Sequence, residues 1–183
     1  MTVMLRAISI LVAGAALSLS GAHAQDRNVR DAITAKQLED VLSNAGLNPT
    51  MLRDKTTGAP VATGKFYDNA NRSILDQPKE TVFAVRGMDC SGIPVSCGQL
   101  VLYATFNLDR EVTEQDFRVV NEWNDTSMFG RAFVLEEKQK IGVDFRLDMI
   151  GGVTGDHVNG RIGRWPEVLK EFREKLEAAQ DGS

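Results

Sequence analysis

Apolar positions along this chain switch between helical and strand spacing, and the switches divide it into elements. Thr34-Ala35-Lys36-Gln37 has the form of a capping box, and Leu38, Val41, Leu42 and Ala45 follow at helical intervals until Gly46 supplies a stop. From Asn48 to Leu108 the runs are short and broken by Thr57-Gly58, Asp68-Asn69 and Gln77-Pro78, which predicts strands near 50–55, 60–67, 80–88 and 98–107. The last is the clearest: Leu100, Leu102, Ala104, Phe106 and Leu108 alternate with more polar neighbours, as a strand with one buried face requires.

Thr113-Glu114-Gln115-Asp116 then predicts the cap of a second helix, with Phe117, Val120 and Trp123 on its inner face and an end near Asp125. Strands over 130–137 and 140–149 follow, joined by a turn at Lys138-Gln139. In the second, Ile141, Val143, Phe145, Leu147 and Met149 share a face opposite Gly142, Asp144, Arg146 and Asp148. A last helical stripe, capped by Thr154, runs through Val158, Ile162, Trp165, Leu169, Phe172 and Leu176. Pro166 falls inside it, so a break is expected between Gly163 and Pro166.

The order α-β-β-β-β-α-β-β-α, with strands joined mainly by short turns, implies an α+β two-layer sandwich in which a mainly antiparallel sheet is covered by helices. It lacks the β-α-β alternation of nucleotide-binding folds. Gly151-Gly152-Val153-Thr154-Gly155 precedes a helix but has neither the Lys-Ser/Thr pair nor the G-x-G-x-x-G spacing of a phosphate loop.

The N-terminus changes the picture of where this domain works. Arg6 is followed by an acid-free apolar run from Ala7 to Leu19, then by the small-residue pattern Ala22-His23-Ala24 before polar Gln25. This is the layout of a cleavable secretory signal over 1–24, and the run is shorter than the roughly 20 residues of a spanning helix. Removing 24 of the 183 residues leaves 159, the size of one domain over 25–183. The leader holds one cation and no acid, so the net charge of −4 becomes −5. With no Lys/Arg cluster, nucleic acid and membrane partners are not expected. Cys90 and Cys97, with six residues between them that include Gly92 and Pro94, are expected to bridge in an oxidising compartment.

Candidate chemistry is sparse. Beyond the leader His157 is the one imidazole, and no G-x-S-x-G elbow or D-x-D-x-D-G calcium loop occurs. Asp144 and Asp148 share a strand face but stand roughly 13 Å apart at the usual rise, with Arg146 between them, which reads as a solvated ladder of alternating charge. No catalytic residues, cofactor or metal are therefore expected. The most unusual stretch is Asn121-Glu-Trp-Asn-Asp-Thr-Ser-Met-Phe129. Two readings stand: Asn124 ends the helix in a left-handed conformation while Asn121 bonds loop backbone, or Asn121, Trp123 and Asn124 form a polar recognition spot.

Asn121-Glu-Trp-Asn124, Arg131-Ala-Phe-Val-Leu in a strand, a strand running to Gly151-Gly152-Val153-Thr154 and a last helix with Trp165 and Phe172 resemble the YbjN domain family of bacteria over residues 33–177. That family carries the label of a sensory transduction regulator, and its fold is similar to type III secretion chaperones. The resemblance implies an α+β domain without a known catalytic centre or cofactor. The expectation is a periplasmic or secreted, non-catalytic binding module with a protein partner, self-association into a homodimer being open; the alternative is a small-ligand sensor of the cell envelope.

Overall fold

The computed structural model describes residues 29–68 and 79–181; the secretory signal expected over 1–24 and the turns expected at Asp68-Asn69 and Gln77-Pro78 involve residues outside these. Two short strands, β1 (Val29–Arg30) and β2 (Ile33–Thr34), lead into helix α1 (Ala35–Asn44). Its start is set locally: Thr34 Oγ1 accepts from the Gln37 N–H at 3.3 Å while Gln37 Oε1 accepts from the Thr34 N–H at 2.9 Å, which satisfies two amides that have no partner inside the helix. Leu38, Val41 and Leu42 are buried, and Gly46 with φ 75° turns the chain away.

Strands β3 (Thr50–Arg53), β4 (Pro60–Asp68), β5 (Lys79–Ser91) and β6 (Ser96–Asn107) follow as an antiparallel meander. Helix α2 (Glu114–Thr126), strand β7 (Arg131–Leu135), a 3-10 turn (Glu136–Lys138) and β8 (Lys140–Asp148) come next. The chain closes with β9 (Val153–Thr154), α3 (Gly155–Gly163) and α4 (Trp165–Asp181). The main sheet runs β3-β4-β5-β6-β8-β7, and β2 lies beside β6 where β8 has ended; β1 and β9 form a separate two-stranded ladder.

One face of the sheet carries Ala62, Phe83, Val85, Leu100, Leu102, Ala104, Ile141, Val143 and Leu147 into the core, and all four helices lay apolar stripes on it. Phe172 of α4 is the hub, with its ring 5.0 Å from Trp123 and 5.4 Å from Phe106. This is the two-layer α+β sandwich that the element order implies. The break in the last stripe falls at Arg164, between α3 and α4, and Pro166 sits in the first turn of α4, where a missing N–H costs no helical bond.

Several expectations shift. β5 and β6 reach further than 80–88 and 98–107, because the cysteines are inside the ladder, with Cys90 opposite Cys97 and Ser91 opposite Ser96, and the turn is confined to the residues between. β7 ends at Leu135 rather than 137, since Glu136 begins the 3-10 turn that Gln139 closes in the left-handed region at φ 50°. The inner face of α2 is Asp116, Val119, Val120 and Trp123, while Phe117 is 43% exposed. The reason is Asp116: its carboxylate is buried as a hydrogen-bonded group, which rotates the helix by one position relative to a purely apolar count. The pairs β1–β9 and β2–β6 have no sequence signature, being too short to show a period.

Candidate functional site

The unusual stretch from Asn121 to Phe129 is where helix α2 grips the sheet edge. Trp123 is buried, and its indole Nε1 donates to the Gly130 carbonyl at 3.2 Å. Asn124 is within the helix, not at a left-handed terminus; α2 runs to Thr126, and the capping residue Ser127 is extended. Its carboxamide Nδ2 donates to the Ala132 carbonyl at 3.1 Å, and Oδ1 accepts from the Ala132 N–H at 2.8 Å. This pair of bonds has the donor-acceptor order of a neighbouring strand, so the side chain closes that position of the β7 edge. Asn121 is exposed on the outer side of α2.

The N-terminus of the same helix is pinned by charge. Arg110 Nη1 and Nη2 donate to Asp116 Oδ2 and Oδ1 at 2.6 and 2.9 Å, and the Thr113 N–H donates to Oδ2 at 2.8 Å. The Arg110 guanidinium first, and the Thr113 donors after it, hold the Asp116 carboxyl below its ordinary value against the opposing effect of burial.

The other residues singled out from sequence stand apart from this clamp. Cys90 and Cys97 form a disulfide across the β5–β6 hairpin. Gly151 and Gly152, with φ 87° and 94°, make the turn that returns Val153–Thr154 against Val29–Arg30, where a side chain at Gly152 would run into Val29. Trp165 is buried at the start of α4, and its indole N–H meets no acceptor among the described residues. His157 is exposed in the first turn of α3, where Thr154 Oγ1 accepts from its backbone N–H at 3.2 Å. Asp144 forms an ion pair with Arg131 at 2.7 Å. Among the described residues no three His, Cys, Asp or Glu side chains are grouped to hold a metal ion, and no helix is long and apolar enough to cross a membrane.

Two features escaped the reading of the sequence. The first is the second face of the sheet, over which no helix of the described residues lies. Cross-strand rows there read Leu52-Val61-Arg86-Val101-Arg146 and Thr50-Thr63-Ala84-Tyr103-Asp144-Arg131. Leu52 is 50% exposed, Val82 54%, Tyr103 39% and Met88 38%. The signal was present in the second half of each alternation, where Val82, Val101 and Phe133 stand in positions that a merely solvated face would fill with polar groups. The second is a notch of about 390 Å³ lined by Val101, Gly130, Arg131, Asp144, Phe145 and Arg146, where β7 has not begun and β8 continues. No sequence signal marks it, since it depends on where one strand starts relative to another.

This helix-backed antiparallel sheet with one open face is the frame of a regulatory or binding domain. The family model described as "Putative bacterial sensory transduction regulator" matches residues 76–178, from the start of β5 to near the end of α4. The chain belongs to the YbjN family. The match begins later than the resemblance over 33–177 and leaves α1, β3 and β4 outside it, although these pair and pack with the matched part. Neither curated proteins nor solved structures gave a significant match.

Proposed function

We propose that this chain is a non-catalytic protein-binding module of the bacterial cell envelope, which receives a protein partner on the open face of its sheet. One observation carries the reading: the uncovered face presents Leu52, Val82, Met88 and Tyr103 together with Arg86, Arg131, Asp144 and Arg146, and partly apolar, polar-rimmed surface of this kind marks protein contact. Membership of a family of regulators supports the same class of activity. The secretory signal read in residues 1–24 and the Cys90–Cys97 bridge support an oxidising location. A small ligand at Asn121, Trp123 and Asn124 has less support, because the Trp123 and Asn124 polar groups are already bonded to Gly130 and Ala132.

Site-specific photo-crosslinking in cells tests this reading. A crosslinker replacing Val82 or Tyr103 should give a discrete protein adduct recovered with the periplasmic fraction, and one replacing partly exposed Glu39 on α1 should not. Adducts at Glu39 alone, or none at either open-face position, would overturn the proposal.

A further inference from the structure

The notch beside β8 has the features of a site for one more strand. β7 pairs with β8 only as far as Arg131 opposite Asp144, whereas β8 stays paired to β6 through Asp148. Ala132 directs its N–H and carbonyl away from β8, toward Asn124. By strand alternation Arg131 and Phe133 face β8, opposite Asp144 and Gly142, so the next β8 groups pointing the same way are those of Arg146 and Asp148. The residue before β7, Gly130, has φ 78° and turns the chain out of the sheet, which leaves the Arg146 groups facing the notch, with those of Asp148 next along the same edge.

Charge says what kind of strand would fit. Arg146 is exposed on the open face, beside Arg131. On the helical side Phe145 lies 6.3 Å from Phe129, and over the Phe129 ring stand the guanidinium groups of Arg164 at 4.3 Å and Arg161 at 5.0 Å. Four arginines thus flank the strand edge from both faces, against the carboxylates of Asp144, held by Arg131, and Asp148, whose Oδ1 accepts from the Ile150 N–H. This concentration of cations occurs on a chain whose net charge is −4.

We infer that the β8 edge at Phe145–Asp148 takes up an acidic segment of a partner protein as an added antiparallel strand, with backbone bonds at Arg146 and Asp148 and acidic side chains reaching the arginines on either face. The inference rests on the protein-binding reading and adds to the open face a second contact, at the sheet edge, with the chemistry of the partner segment that fits it.

The test uses a fluorescein-labelled octapeptide of the repeat Glu-Glu-Val-Val, which sets glutamates on both faces of a strand, titrated into the purified protein and read by anisotropy. Binding that weakens with salt, and falls about tenfold or more when glutamine replaces glutamate, is expected. Methylating alternate backbone nitrogens of the peptide, which preserves charge but removes ladder donors, should abolish it, and this arm needs no protein variant. Arg146→Glu with Arg164→Glu should weaken binding by a similar factor, while Lys36→Glu on α1 leaves it unchanged. No binding at millimolar peptide, or binding indifferent to methylation or to the arginine reversals, overturns the inference. A crosslinked adduct at Val82 or Tyr103 alongside such a result would leave the open-face reading standing.

Discussion

Asn124 and Ala132, eight residues apart, are joined by two hydrogen bonds through which a helix side chain serves as the neighbouring strand of an edge. Asn124→Ala should lose both and leave the Ala132 groups to water, at about 1–3 kcal/mol in urea denaturation. Asn124→Asp retains an acceptor for the Ala132 N–H but sets a carboxylate oxygen against the Ala132 carbonyl. It should therefore be no more stable than the alanine variant, and equality with the unmodified protein would refute the clamp.

Asp116 predicts the acid limb of the stability curve. Its folded pKa lies below the ordinary 3.8, because Arg110 and Thr113 favour the carboxylate. The stabilisation is thus fully present above the unfolded value and drains away as pH falls through the lower folded one. Asp116→Asn should cost about 1–3 kcal/mol at neutral pH, and its deficit should shrink below about pH 4. A deficit independent of pH would show that the carboxylate charge is not what holds the N-terminus of α2.

Contacts between near neighbours in the chain are legible in the sequence, and contacts between distant ones are not. The caps at Thr34, Thr113 and Thr154 were readable because a cap is a contact between side chain and backbone only a few residues apart. The covered face of the sheet was readable from alternation in β6 and β8. Asn124 was visible as unusual, but its partner was not, since the bond goes to the backbone of Ala132 and any residue offers the same groups. An apolar count turns Phe117 inward because it assigns no buried position to an acid, whereas Asp116 is 4% exposed once Arg110 reaches it.

The Cys90–Cys97 bridge closes a short loop, for which chain entropy gives about 2.5 kcal/mol. Replacing both cysteines by serine should lower the unfolding free energy by about that amount. If the chain is exported, thiol titration of protein taken from the cell envelope should find no free thiols before denaturant and reductant are added.

If residues 1–24 are removed on export, mass spectrometry of the protein from a periplasmic extract should return a chain beginning at Gln25. A peptide retaining Ala7 to Leu19 in that fraction would argue for another fate of the leader.

Gly64 faces the ring of Phe83 across the β4–β5 ladder, and a Cβ there would come within 2.6 Å of Phe83 Cζ. Gly64→Ala should cost about 1–3 kcal/mol through displacement of that ring. Pairing with Phe83→Leu should recover part of the loss, which a backbone-only role for the glycine would not allow.

The joint at Arg164 matters for reach. A single straight rod from Gly155 to Asp181 would be about 40 Å long, against roughly 30 Å for the nine residues of β8, and would overhang the surface it has to roof. Bent once, the same stretch becomes two shorter rafters: the Val158 and Ile162 side shelters the ground next to α1, and the Leu169 and Phe172 side shelters the ground next to α2. Pro166 therefore acts as a hinge of carpentry, setting the span of the roof to the floor beneath it.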